Sequence, residues 1–205
     1  MQGKTMQLYV TFTSPYARLA RILVIEKGLS QRVAVIAAKT RTVASPYYDI
    51  NPSGRVPYLI NDAGVGMEDS QLICAYLDGL DGAPRFHAAA HGSDWAYRSA
   101  EASARSLCDG ISVWVREMHR PENERSPTVL AHEVARSERL ADVFDRQVAE
   151  PLWTGAPAMP HLILAVALDV AHKRGPGDLT RGRRRLAAWH QNIAERPSLQ
   201  ATALP

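Results

Sequence analysis

The sequence predicts a two-part chain: an α/β portion over residues 1–82, then an all-α portion over residues 88–205. Three observations predict it. Short apolar runs over residues 6–12, 32–38 and 58–60 alternate with helical patterns, the order expected of a small sheet covered by helices. Gly79, Gly82 and Pro84 then interrupt the pattern. Beyond residue 88 the long segments carry apolar residues at helical spacing, and none alternates like a strand.

Residues 6–12, rich in Leu, Val, Tyr and Phe, read as a buried strand. Thr13-Ser14-Pro15-Tyr16-Ala17-Arg18 then turns into a helix that runs on through Leu19, Ile22, Leu23 and Ile25 and stops at Gly28. Ser14 stands at its N-cap and Pro15 in the first turn, where a missing N–H is no loss. A hydroxyl there faces unpaired N–H groups and the positive end of the helix dipole, which favours a nearby anion. Helix capping alone also accounts for a serine at this place.

Residues 32–38 (Arg-Val-Ala-Val-Ile-Ala-Ala) predict a second strand, continuous enough to be buried on both faces. A polar stretch over 39–50 follows, with a helical turn near Ser45-Pro46-Tyr47-Tyr48. Asn51-Pro52 and Ser53-Gly54 mark turns before Arg55-Val56-Pro57, and Tyr58-Leu59-Ile60 predicts a third strand. Asp62-Ala63-Gly64 turns back into a brief strand over 65–67. Glu68-Asp69-Ser70 then caps a helix whose predicted apolar face is Leu72, Ile73, Tyr76, Leu77 and Leu80. The first crossover makes parallel neighbours, and the hairpin adds an antiparallel edge.

In the second part, one long helix is predicted over 90–119, with Trp95, Leu107, Ile111, Trp114, Val115 and Met118 at its apolar positions. A loop over 121–127 precedes a helix over 129–149, carrying Leu130, Val134, Leu140, Val143, Phe144 and Val148. Another loop, 151–157, contains Trp153. The segment 162–171 is apolar nearly all round and reads as the central helix of this part. Gly175-Pro176-Gly177 ends it, and the last helix is predicted over 182–195, before Pro197.

Bulk properties exclude several function classes. With 46% apolar and 22% charged residues, the chain has an ordinary globular composition. It holds no apolar run long enough for a membrane helix, and residues 1–5 lack the apolar core of a signal peptide. Cys74 and Cys108 lie 34 residues apart, form no Cys-x-x-Cys pair and read as small core residues, so a reducing cytoplasm is expected. The net charge of +3 is mild, and the one dense cluster, Arg181 to Arg185, opens a helix without interleaved aromatics. A solvated face or a carboxylate partner suits it better than nucleic acid. His87 and His91 have i, i+4 spacing but no further ligand pattern beside them, so no metal is expected. Gly64-Val65-Gly66 reads as a tight hairpin rather than a phosphate loop. Ser14, followed by proline, lacks the glycine-flanked elbow of a serine hydrolase.

Three motifs in register carry a resemblance. Ser-Pro-Tyr-Ala-Arg at a strand-to-helix turn, Asn51-Pro52 with Gly54-Arg55-Val56-Pro57, and Glu68-Asp69-Ser70 opening a helix resemble a cytosolic glutathione transferase of the bacterial serine/cysteine type, omega-, theta- or zeta-like. The helical remainder, ending in Glu195-Arg196-Pro197-Ser198-Leu199, is similar to the C-terminal domain of bacterial members. The resemblance implies a thioredoxin-like N-terminal domain, glutathione as co-substrate, no metal, and a homodimer. It implies that Pro57 is the family's cis-proline and that the Val56 backbone pairs with the extended peptide. It also implies that Ser70 and helix N–H groups hold the γ-glutamyl carboxylate, while Asp69 holds its ammonium. Tyr16 and Arg55 join these as binding residues. Tyr16, Arg105, Cys108 and Ser112 are implied to line a pocket for an apolar electrophile.

Ser14 occupies the place of the family's thiol-activating hydroxyl or cysteine, with Thr13 and Tyr9 as competitors. A free thiol ionises near pH 8.5, so lowering its pKa by roughly 2 units, or about 2.7 kcal/mol, would ionise most of it at neutral pH. A hydrogen bond to a charged group contributes about 1.5–3 kcal/mol, so one donated hydroxyl helped by a helix end suffices. Conjugation is the expected reaction. A glutathione-dependent isomerase or dehalogenase would use the same thiolate, and a non-catalytic partner protein would keep the fold alone. The chain departs from the family at the helix over 162–171, where Ala158 and His161 replace the usual capping box.

Overall fold

A computed structural model describes residues 5–87, 94–175 and 177–205. The chain divides into two units, 1–87 with 201–203 and 205, and 88–200 with 204.

In the first unit, β1 (Met6–Val10) leads through the Ser14 turn into α1 (Pro15–Glu26). Next come β2 (Val33–Ala37), the single-turn α2 (Tyr47–Ile50), β3 (Tyr58–Ile60), β4 (Gly66–Glu68) and α3 (Ser70–Gly79). The sheet order is β2-β1-β3-β4, with β1 and β2 parallel and the other pairs antiparallel. Met6, Leu8 and Val10 alternate inward along β1 and meet Leu19, Ile22 and Leu23 of α1 and Leu59 of β3 in the buried core. Burying each such side chain contributes roughly 1.5–3 kcal/mol. The Val56–Pro57 peptide bond is cis.

The predicted burial of β2 on both faces is corrected. As the edge strand it covers only Val33, while Val35 is 42% exposed. A run of apolar residues does not distinguish an edge strand from a central one. In α3, Ile73, Cys74 and Leu77 face inward, but Leu72 is 55% exposed, because the buried stripe is narrower than the apolar positions suggest.

The first unit also runs further than the expected boundary. The buried Asp78 carboxylate accepts the N–H groups of Arg85, Phe86 and His87 and pairs with Lys27, fixing residues 83–87 to the ends of α1 and α3. Lys27 also reaches Asp81 at 2.8 Å and the Ala83 carbonyl. At the other end of the chain, Arg18 of α1 donates to the Thr202 hydroxyl oxygen at 3.4 Å, and both residues are buried. This accounts for the C-terminal residues grouping with the first unit.

The second unit comprises α4 (Trp95–Met118), a 3-10 turn (Glu122–Glu124), α5 (Pro127–Gln147), α6 (Pro151–Thr154), α7 (Met159–Arg174), α8 (Arg184–Ala194) and all but the last residue of α9 (Pro197–Ala201). Helix α7 is buried over most of its circumference and packs against α4 and α8, as its uniform hydrophobicity predicts. Trp95 was expected in the core but is 76% exposed; the buried aromatic of that turn is Tyr97, beside Ala158. The inward face of α5 is Glu133, Ser137, Ala141 and Phe144, with Leu130, Val134, Leu140 and Val143 only half-buried. Trp153 lies in a helical turn rather than a loop, buried edge-on against Phe144 and Trp189 at 5.5 and 5.7 Å. The helix over 184–194 is followed by α9, so it is not the last. Arg183 pairs with Glu138 and Asp142, so of the two alternatives for the arginine cluster this residue takes carboxylate partners. At the start of α7 the Ala158 methyl caps nothing, but the His161 ring accepts the Ala158 N–H at 3.2 Å, retaining half of a capping box. The predicted helix residues 90–93 and His91, as well as Pro176, lie outside the described residues.

Candidate functional site

The strand registers bring the three sequence motifs to one end of the sheet. Tyr9 pairs with Tyr58, and Tyr58 pairs with Glu68. One step further along those registers, Pro57 lies between Val10 and Asp69. The turn after β1 supplies Ser14, the loop before β3 supplies Arg55, Val56 and Pro57, and the residues after β4 supply Asp69 and Ser70. Two helix N-termini, those of α1 and α3, start at this same end.

Ser14 has the extended backbone of an N-cap, and its Oγ accepts the Ala17 N–H at 3.2 Å. The cap uses an oxygen lone pair and leaves the hydroxyl hydrogen available to a second acceptor. No acidic residue lies in the first turn of α1, so the positive helix end is uncompensated there. Further along α1, burial and then the neighbouring Arg18 lower the pKa of Arg21, whose guanidinium stacks on Phe12 at 4.8 Å. Of the two competitors, Thr13 is exposed, and Tyr9 donates its phenol to the Gln7 side chain at 3.0 Å and packs on Tyr47. Tyr16 is half-buried in the first turn of α1.

Val56 is half-buried beside the exposed Arg55. Among the described residues its N–H and C=O are paired neither in the ladder nor in a turn. Asp69 adopts φ 77°, a region sparsely populated by non-glycine residues. It caps α3 through one oxygen alone: Oδ1 accepts the Gln71 and Leu72 N–H groups at 2.8 and 3.2 Å, leaving Oδ2 open to a cation. Ser70 is buried at the first position of that helix.

Three residues expected around an electrophile lie on α4 and are engaged there. Arg105 pairs with Glu101 at 2.8 Å, and the buried Ser112 donates to the Cys108 carbonyl at 2.7 Å. Cys108 is itself buried, and desolvation pushes its thiol up to about 12, which leaves no thiolate at neutral pH. Sequence reasoning missed the side chains beneath the site, Tyr47, Asn51 and Ser53. Asn51 stood within the Asn51-Pro52 turn signal, but its bond to a main-chain carbonyl leaves no pattern in the sequence. Among the described residues no group of three or more His, Cys, Asp or Glu could hold a metal ion, and no helix is long and apolar enough to cross a membrane.

Known proteins resemble this chain in sequence and fold. Residues 8–85 match the family described as Glutathione S-transferase, N-terminal domain. The uncharacterized GST-like protein YibF of Escherichia coli (strain K12) is 27% identical over 98% of this chain and 99% of its own length. A glutathione transferase family member from Pseudomonas fluorescens Pf-5, solved with bound glutathione, superposes with TM-score 0.83 at 26% identity, covering 98% of this chain and 100% of that one. The glutathione S-transferase of Methylobacillus flagellatus KT, solved with glutathione bound, gives the same values. A four-stranded thioredoxin-like domain followed by a helical domain is the fold this chain shares with these proteins, and its residues 8–85 are similar to the N-terminal domain of glutathione S-transferases.

Proposed function

We propose that the chain is a glutathione transferase that binds glutathione at the sheet end and activates its thiol through Ser14 for attack on an apolar electrophile. The observation that carries this reading is the Ser14 cap, which leaves a hydroxyl hydrogen at an uncompensated helix N-terminus. A thiolate placed there accepts that hydrogen and is further stabilised by the helix end. Glutathione bound to the Pseudomonas and Methylobacillus relatives supports the choice of ligand.

In this reading the N–H and C=O of Val56 pair with the peptide in strand fashion. Asp69 Oδ2 takes the γ-glutamyl ammonium, and Ser70 with the α3 helix start takes its carboxylate. Arg55 and Tyr16 border the ligand, and Arg55 offers a cation to its other carboxylate. Ser14 is preferred over Tyr9, whose hydroxyl hydrogen is already donated to Gln7. The homodimer and a cytoplasmic setting belong to the same proposal, and light scattering of the purified protein checks the first. Calorimetric titration with glutathione tests the assignment, followed by a screen of apolar electrophiles. Micromolar to millimolar binding and conjugate formation are expected; a flat titration contradicts the proposal.

A further inference from the structure

Below the loop that carries Val56, two buried side chains converge on one main-chain oxygen. The Tyr47 phenol and the Asn51 amide nitrogen, the latter at 3.0 Å, both donate to the Arg55 carbonyl. Tyr47 is 4% exposed and Asn51 3%. The Arg55 C=O and the Val56 N–H belong to one planar peptide unit, so holding the first in direction holds the second. We propose that Tyr47 and Asn51 are positioning residues for glutathione, orienting the 55–56 peptide so that Val56 presents its main chain to the ligand. The inference rests on the glutathione reading above and adds two residues that do not touch the ligand.

Three further contacts point the same way. Asn51 Oδ1 accepts the Ser53 N–H at 3.2 Å, so both ends of the amide are used and its orientation is determined. Gly54 sits at φ 66°, and a Cβ there would come within 2.8 Å of the Tyr48 ring, so the loop is seated directly on α2. The Ser53 hydroxyl donates to the Glu68 carboxylate, tying the Val56 loop to the residue just before Asp69. The two ligand-bearing segments are thus held to each other as well as to α2. Helix α2 has a single turn and little stability of its own. Burial raises the Tyr47 pKa, so the phenol remains a donor throughout the neutral range.

The test uses the full chain and glutathione itself, with calorimetry and steady-state kinetics on Tyr47→Phe, Asn51→Asp and the double variant. Asn51→Asp keeps the acceptor for Ser53 and removes the donor to Arg55. Each single change is expected to weaken glutathione binding about tenfold and to raise KM for glutathione. At saturating glutathione, kcat and the bound thiol's pKa should stay at wild-type values. Because both donors serve one oxygen, the double variant should lose less than the sum of the single effects. Tyr48→Phe, which keeps its ring on Gly54 and never reaches the Arg55 carbonyl, should bind as wild type. Unchanged affinity in both single variants overturns the inference, as does a fallen kcat with KM intact. If Tyr47→Phe does not fold, Asn51→Asp decides alone. A wild-type protein that fails to bind glutathione overturns the functional reading, and this inference with it.

Discussion

The Ser14 hydroxyl oxygen accepts the Ala17 N–H at 3.2 Å, so capping α1 and the proposed donation to a thiolate would use different parts of one hydroxyl. Removing the hydroxyl should therefore have two separable consequences. Ser14→Ala should lose about 1 kcal/mol of stability as a lost cap, measured by urea denaturation, and turnover at neutral pH should fall roughly ten- to a hundredfold. Ser14→Cys places an acidic thiol at a helix N-terminus. It should attack oxidised glutathione, forming a mixed disulfide visible as added mass and releasing one glutathione thiolate, and gain thiol-transfer activity.

Asp69 caps α3 and is proposed to hold the γ-glutamyl ammonium, and its positive φ permits a cleaner dissection. Asp69→Ala loses the cap and also places a Cβ-bearing residue at φ 77° with no compensating bond. Asp69→Gly loses the cap but relieves the backbone. The glycine variant should be the more stable of the two in thermal melts. Both should bind glutathione at least tenfold more weakly, or ~1.4 kcal/mol, since both lack the ammonium partner.

Much of this site was legible in the sequence because it is built from local signals. Ser14 before Pro15, the Asp69 cap and the Tyr58-Leu59-Ile60 strand each depend on a few neighbouring residues, and each lies where its pattern indicates. The misread residues depend on what packs against them. Val35 and Ala34 are exposed because β2 is an edge; Leu72 and Trp95 because the buried stripes of α3 and α4 pass beside them. Trp153 looked like a loop residue, since one helical turn between prolines leaves no periodicity to read. The Tyr47 and Asn51 bonds to Arg55 end on a main-chain carbonyl, which carries no residue identity for a motif to record.

Asp78 shows how a long-range contact shifts a boundary that composition sets at Gly82. Its carboxylate, fully buried, serves three N–H groups and Lys27. Asp78→Ala leaves Lys27 less well paired and strips residues 85–87 of their acceptor. Breaking a buried pair of this kind is expected to destabilise by about 3 kcal/mol or more. Denaturant unfolding should show it, together with faster proteolysis within residues 83–87.

Cys108 predicts a pH dependence. Its thiol pKa is raised in the folded state, to about 12, so the folded form holds its proton where the unfolded chain has lost it. The resulting stability is fully present below the ordinary thiol range and is lost as pH climbs from there towards about 12. Between pH ~9 and ~10, below the range of an ordinary tyrosine, wild type should therefore lose stability faster than Cys108→Ala. Urea midpoints across that interval check it. In the native protein Cys108 should also resist thiol reagents that label it rapidly after unfolding.

Titrating the thiol of bound glutathione by its thiolate absorbance, in wild type and Ser14→Ala side by side, tests the central claim most directly. With Ser14 as activator, the wild-type complex should ionise about 2 units below the free thiol's 8.5, and Ser14→Ala should return most of the way to that value while still binding glutathione. The same low pKa in both proteins would contradict the assignment of the chemistry to Ser14.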